Sequence, residues 1–141
     1  MNAKAWLLRA KRLDEEIEQL LETRDAEKAR VTKITQTLSG SVVQSSKDPH
    51  KFDRLVELEL EIDRAVDELI RTKAEVLSGI MKLEDGRHRK ILRLRYIDGK
   101  TFEEIAVDIK YSWKQTRRLH AAALVKMEEV LNESTGHDTK P

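Results

Sequence analysis

Residues 101–124, TFEEIAVDIKYSWKQTRRLHAAAL, contain two short helical periods separated by a tight break. Ile105 and Ile109 mark the inner face of the first helix, and the small Ala106 stands where a second helix must pass close. Tyr111 falls at the break, and Thr116 and Leu119 face inward from the second helix. Both helix starts carry a side-chain cap. Thr101 has Glu104 three residues on, a capping box, and Ser112 stands just before the second helix. This spacing predicts a helix-turn-helix. Its outward positions, Trp113, Lys114, Gln115, Arg117 and Arg118, are those that an inserted helix turns toward DNA. Lys110 occupies the turn position that favours Gly, where a left-handed residue costs on the order of 1 kcal/mol. Either that strain is absorbed or the turn has another shape.

The wider stretch from Arg87 to Leu131 resembles region 4 of bacterial sigma factors, through ILRLRYIDGKTFEEIA, the pair YS, and Ala123-Leu124 followed by Lys126. RYIDGKTFEEIA and YSWKQTRRLHAAAL are also similar to small phage regulators of the RinA/ArpU type, sigma-like activators of late genes. In those a long helical part precedes the sigma-like end. Lys110 and Thr116 depart from the usual Gly and aliphatic residue. The resemblance implies a DNA-binding transcription regulator, and RNA polymerase as a second partner.

Charged residues make up 38% of the 141 residues and aromatics 4%, a balance typical of solvated helices with narrow apolar seams. Two prolines, Pro49 and Pro141, leave long stretches free to be helical. The overall charge of +1 is unevenly spread. Residues 51–84 hold 6 Lys/Arg against 9 Asp/Glu, a net −3, and residues 85–131 hold 11 against 7, a net +4. The basic surplus falls on the segment with the DNA-binding pattern. Cysteine is absent, and no apolar run approaches the roughly 20 residues that cross a bilayer, so a soluble, cytoplasmic protein is expected.

The first helix is expected over about residues 3–38. Trp6, Ala10, Leu13, Ile17 and Leu20 step by four and three, and the phase continues through Arg24 and Glu27 to Val31, Ile34 and Leu38. Residues 39–50 form a loop. A second seam runs from Phe52 through Leu55, Glu59, Ile62, Val66, Leu69, Lys73, Val76 and Ile80 to Leu83. Folded back directly, the arms pair antiparallel, with Leu38 opposite Phe52, Val31 opposite Glu59, Leu20 opposite Leu69 and Trp6 opposite Leu83. Arg24, Glu27, Glu59 and Lys73 then lie in or beside the seam, either fixing register or reaching out to water. Val56, Leu60, Ile70, Ala74, Leu77 and Met81 form another stripe, interrupted by Asp63 and Asp67. Its later half is expected to pack on the C-terminal unit, and its earlier half to make a dimer contact.

The expected fold class is therefore all-α, a long antiparallel helical hairpin (a coiled coil) over residues 1–84 followed by a sigma region 4-like unit over 85–131. That unit comprises a helix from Arg87 to Tyr96, the Asp98-Gly99 turn, and the helix-turn-helix with its second helix ending near Leu131. Residues 132–141 read as a disordered tail. The four histidines lack metal-ligand spacing, and no phosphate loop, nucleophile elbow or HExxH is present, so no catalytic, metal or cofactor site is expected. The function expected is a sequence-specific regulator that binds double-stranded DNA through Ser112, Trp113, Lys114, Gln115, Arg117 and Arg118. Lys114, Arg117 and Arg118 are the candidates for base or phosphate contacts, Gln115 for a phosphate, and Trp113 either stacks on the duplex or plugs the joint with the preceding helix. The competing readings are a DNA-packaging recognition subunit and a helical protein that binds polymerase without touching DNA.

Overall fold

The computed structural model describes residues 2–38 and 49–139. Among these the secondary structure is helical, with no strand. Helix α1 spans Ala3–Leu7, α2 Arg9–Leu38, α3 Asp53–Ile80, α4 Gly86–Leu92, α5 Phe102–Ile109 and α6 Trp113–Thr139. A π-helical turn, Arg93–Ile97, follows α4. The first arm is broken once, at Leu8, and α1 is capped by Asn2, whose side chain accepts from the Ala5 N–H. Of the loop expected at 39–50, residues 39–48 lie outside the described residues.

Two compact units divide the chain, one of Met1–Arg12 with Leu69–Pro141 and the other of Leu13–Glu68. The boundary expected at residue 84 therefore does not separate the units. In the first unit Ala3, Leu7, Val76, Ile80 and Leu83 share one buried cluster with Ile91, Leu92, Leu94, Tyr96, Ile105, Ala123 and Met127. Each fully buried Leu or Ile removes enough apolar surface from water to contribute about 1.5–3 kcal/mol. The sigma-like helices thus have no separate core of their own. They share it with α1 and the end of α3.

Helix α3 keeps the expected phase at Ile62, Leu69, Val76 and Ile80 and departs from it at Glu59 and Lys73. Its buried residues are Leu58, Ile62, Ala65, Thr72, Val76, Gly79 and Ile80, with Val66 and Leu69 half-buried. The expected seam put the charged Glu59 and Lys73 where Leu58 and Thr72 now sit. Burying an unpaired charge is costly, so at those two points the helix buries the neighbouring small or apolar residue instead. Glu59 is left at the margin, where it accepts from Arg24 at 3.1 Å. Arg24, rather than Val31 two turns later, is therefore the partner of Glu59. Arg24 also bonds Asp25, and Glu27 takes Arg30. These charges are paired along the edge of the seam.

The register differs likewise in the first unit. A Cβ on Gly79 would meet the Trp6 indole at 2.6 Å, so Trp6 lies over Gly79, one turn before the expected Leu83. Arg9 pairs with Glu75 at 3.3 Å beside it. Phe52 is 51% exposed, which removes its expected place in the seam. Ile70 at 62% and Met81 at 61% exposure correct a further expectation, because the later half of the second stripe is not buried against the C-terminal helices and only borders them. Val76, Ile80 and Leu83 make that contact instead.

Helix α4 ends at Leu92, short of the expected Tyr96, and the wider π turn follows, closed by the Asp98 N–H donating to the Arg93 carbonyl at 3.0 Å. That turn buries both Leu94 and Tyr96. At the other end α6 runs to Thr139, where a disordered tail was expected from residue 132. No proline stops the helix before Pro141, and propagation costs little once a long helix exists.

Replacing Gly79 with Ala should destabilise the protein. Ala gains about 1 kcal/mol of helix propensity, but overpacking costs typically 1–3 kcal/mol. The added methyl would also approach Met127 Cε at 3.0 Å. A lowered midpoint in thermal unfolding followed by circular dichroism is expected, and a raised one contradicts the close seat of Trp6.

Candidate nucleic-acid interface

Two reciprocal caps define the helix-turn-helix. The Thr101 N–H donates to Glu104 Oε1 at 3.1 Å, and the Glu104 N–H returns to Thr101 Oγ1 at 3.2 Å. The second cap has the same form. Gln115 N–H donates to Ser112 Oγ at 3.0 Å, and Ser112 N–H donates to Gln115 Oε1 at 3.0 Å. The Gln115 amide oxygen is therefore committed to the helix start, which leaves the amide N–H groups as its donors toward a phosphate. Its signal in the sequence is S-W-K-Q, the S-x-x-Q form of the capping box.

The turn between α5 and α6 is left-handed in spite of its side chain. Lys110 has φ 60° and ψ 39°, and its N–H bonds back toward Ala106 and Val107. The Tyr111 N–H donates to the Ala106 carbonyl at 3.0 Å. The turn thus keeps the shape that Gly would favour, and the strain is absorbed. Ile105 is fully buried, while Ala106, Ile109, Tyr111 and Leu119 are half-buried around it. Thr116, where an aliphatic residue is usual, is also fully buried; its hydroxyl donates to the Ser112 carbonyl at 2.8 Å, so no polar atom is stranded.

The outward residues divide into two groups. Lys114 and Arg118, one turn apart on α6, are exposed. Arg117 instead lies over two rings, 4.5 Å from the Phe102 centroid and 5.3 Å from that of Trp113. Phe102 receives a second guanidinium, that of Arg95, at 4.2 Å. Trp113 remains 52% exposed, so it does not plug the joint between the helices. The flanking Lys100 is engaged by Asp108 at 2.6 Å, and Arg95 also donates to the Lys100 carbonyl.

Beneath this surface lies a group that sequence reading missed. His120 is buried, with Nε2 at 2.7 Å from the Tyr96 hydroxyl and its ring edge-on to Phe102. Burial, together with the positive charges of Arg95, Arg117 and Lys4, lowers its pKa to about 4. The ring is therefore neutral at pH 7. Its spacing had no partner in sequence because Tyr96 lies 24 residues away. At the start of α4, Asp85 caps the Arg87 N–H and is lowered to about 2, chiefly by the Arg87 guanidinium. His88 stands 3.8 Å from it. Among the described residues no three potential ligands gather into a metal site.

Residues 85–129 match the family Sigma-70, region 4. This segment is a sigma region 4-like helix-turn-helix. No curated protein and no solved structure matches the chain. The match spans about a third of the chain and points to a DNA-binding, transcription-related role for that unit. Among the described residues no helix is long and apolar enough to cross a membrane.

Two outcomes follow from this geometry. Lys110→Gly should raise stability by about 0.5–1 kcal/mol by relieving the left-handed strain, seen as a higher unfolding midpoint. His120 has a lowered folded pKa, so its contribution is complete above the unfolded value of about 6.5 and is lost as pH falls toward 4. Melting temperature should decline over that window, and His120→Phe should flatten this decline. An equally steep decline in the variant would assign it to other groups.

Proposed function

We propose that the chain is a sequence-specific DNA-binding transcription regulator that reads the major groove with the start of α6. The observation that carries this reading is the exposed pair Lys114 and Arg118 on a helix whose start is fixed by the Ser112–Gln115 cap. An Arg fork matches guanine O6 and N7, and a lysine suits a phosphate as a point charge. Trp113, half-exposed beside them, offers an indole face to a sugar or a thymine methyl. Arg117 contributes once it leaves its ring partners. The resemblance to RinA/ArpU-type regulators supports a phage or prophage late-gene activator that acts with RNA polymerase. The helical arms support action as a homodimer.

Footprinting on the DNA around its own gene tests the reading, followed by gel shifts at several salt concentrations. Arg118→Ala should cost about 1–3 kcal/mol and relax preference at one base position. Lys114→Ala should weaken binding to all sequences evenly and reduce the salt slope by about 1. Absence of any protected site, with no shift at low salt, overturns DNA recognition and favours a protein that binds only other proteins.

A further inference from the structure

The second stripe of α3 runs Val56, Leu60, Asp63, Asp67, Ile70, Ala74, Leu77 and Met81, in steps of four and three, and every one of these positions is exposed. Six of the eight are apolar, an unusual investment for a solvated face. The stripe has a symmetry of its own. Reversed end for end, it sets Val56 against Met81, Leu60 against Leu77, Asp63 against Ala74 and Asp67 against Ile70. A two-fold axis between Asp67 and Ile70 therefore lays the stripe on itself in register, as an isologous contact requires, with apolar pairs at both ends and the aspartates at the centre.

The charges select the same orientation. Residues 53–68 hold 2 Lys/Arg and 7 Asp/Glu, a net −5, whereas residues 69–82 hold 3 and 1, a net +2. Beyond that basic half, Lys90 and Arg93 border a cleft floored by Leu77 and Met81. Antiparallel pairing brings the acidic half of one helix over the basic half of the other. Parallel pairing stacks both Asp63 on Asp63 and Asp67 on Asp67, whereas antiparallel pairing parts the two Asp63 and leaves only the two Asp67 near one another, about 4.5 Å apart along the axis.

We propose that α3 forms an antiparallel contact with α3 of a second copy of this chain, with Val56 and Leu60 of each copy seated against Leu77 and Met81 of the other. The proposal rests on the homodimer reading above and supplies its surface and orientation. It requires nothing of the helix-turn-helix and is tested without DNA.

The chain lacks cysteine, so single substitutions are clean probes. Under mild oxidation Val56→Cys and Met81→Cys should each cross-link poorly alone, and their mixture should yield the mixed disulfide dimer. Efficient cross-linking of Val56→Cys alone indicates a parallel pair and overturns the proposal. Leu60→Glu and Leu77→Glu, both at exposed positions, should each weaken dimerisation at least tenfold in sedimentation while helicity is retained. A dimer of unchanged affinity in both variants overturns the α3 contact and leaves the homodimer reading standing. A monomer at every concentration overturns both, without bearing on DNA binding.

Discussion

The contact on which the first unit depends is the seat of Trp6 over Gly79 and Met127. A glycine in the middle of a helix costs about 1 kcal/mol in propensity, and here its missing Cβ admits an indole at a distance no alanine would allow. Through that gap α1, α3 and α6 converge on one cluster that also takes in Ile91, Leu92 and Ile105. Helix α6 is consequently anchored at its middle, through Ala123 and Met127, to elements more than forty residues earlier in the chain. Without that anchor the helix-turn-helix would lose the long inner face of α6 and with it much of its buried surface.

Rigidity at the front of α6 has a different source. The reciprocal bonds of Ser112 and Gln115 satisfy backbone donors that a helix start otherwise leaves to water. The Thr116 hydroxyl bonds to the Ser112 carbonyl and lets a polar residue fill a fully buried position. Lys110 holds the turn at a cost that the neighbouring packing covers. These local devices fix the direction in which Lys114 and Arg118 leave the surface.

The local part of this design was legible in sequence, and the long-range part much less so. Capping residues act on backbone atoms three positions away, so Thr101, Glu104 and Ser112 announced both helix starts, and the apolar offsets of Ile105, Thr116 and Leu119 gave the inner face. The seam of α2 was legible for the same reason, since Ala10, Ile17 and Val31 are buried as their period requires. Register between the arms was not. It turned on whether Glu59 or Leu58, Lys73 or Thr72, would face the partner, and a stripe of mixed charge satisfies either phase until the partner's own shape is known. The seat that Gly79 gives Trp6 was not legible either, because it joins residues far apart in the chain. His120 was overlooked on the same grounds: its environment is made by Tyr96 and Phe102, which no local spacing connects to it.

The arrangement around Phe102 also weighs the cations of the proposed interface against one another. Arg117 rests against two aromatic faces and Arg95 against one, and each such contact contributes about 0.5–1 kcal/mol at an exposed site. An Arg117 that reaches a base edge must first give up both rings, which offsets much of what a bidentate guanine contact provides. Among the described residues no ring contact holds Arg118, and Lys114 is exposed one turn before it. Base discrimination under the proposed reading therefore falls on Arg118. Arg117 with Phe102 holds the α5–α6 joint closed above the neutral His120, whose uncharged ring keeps a third positive charge from forming between Arg95 and Arg117.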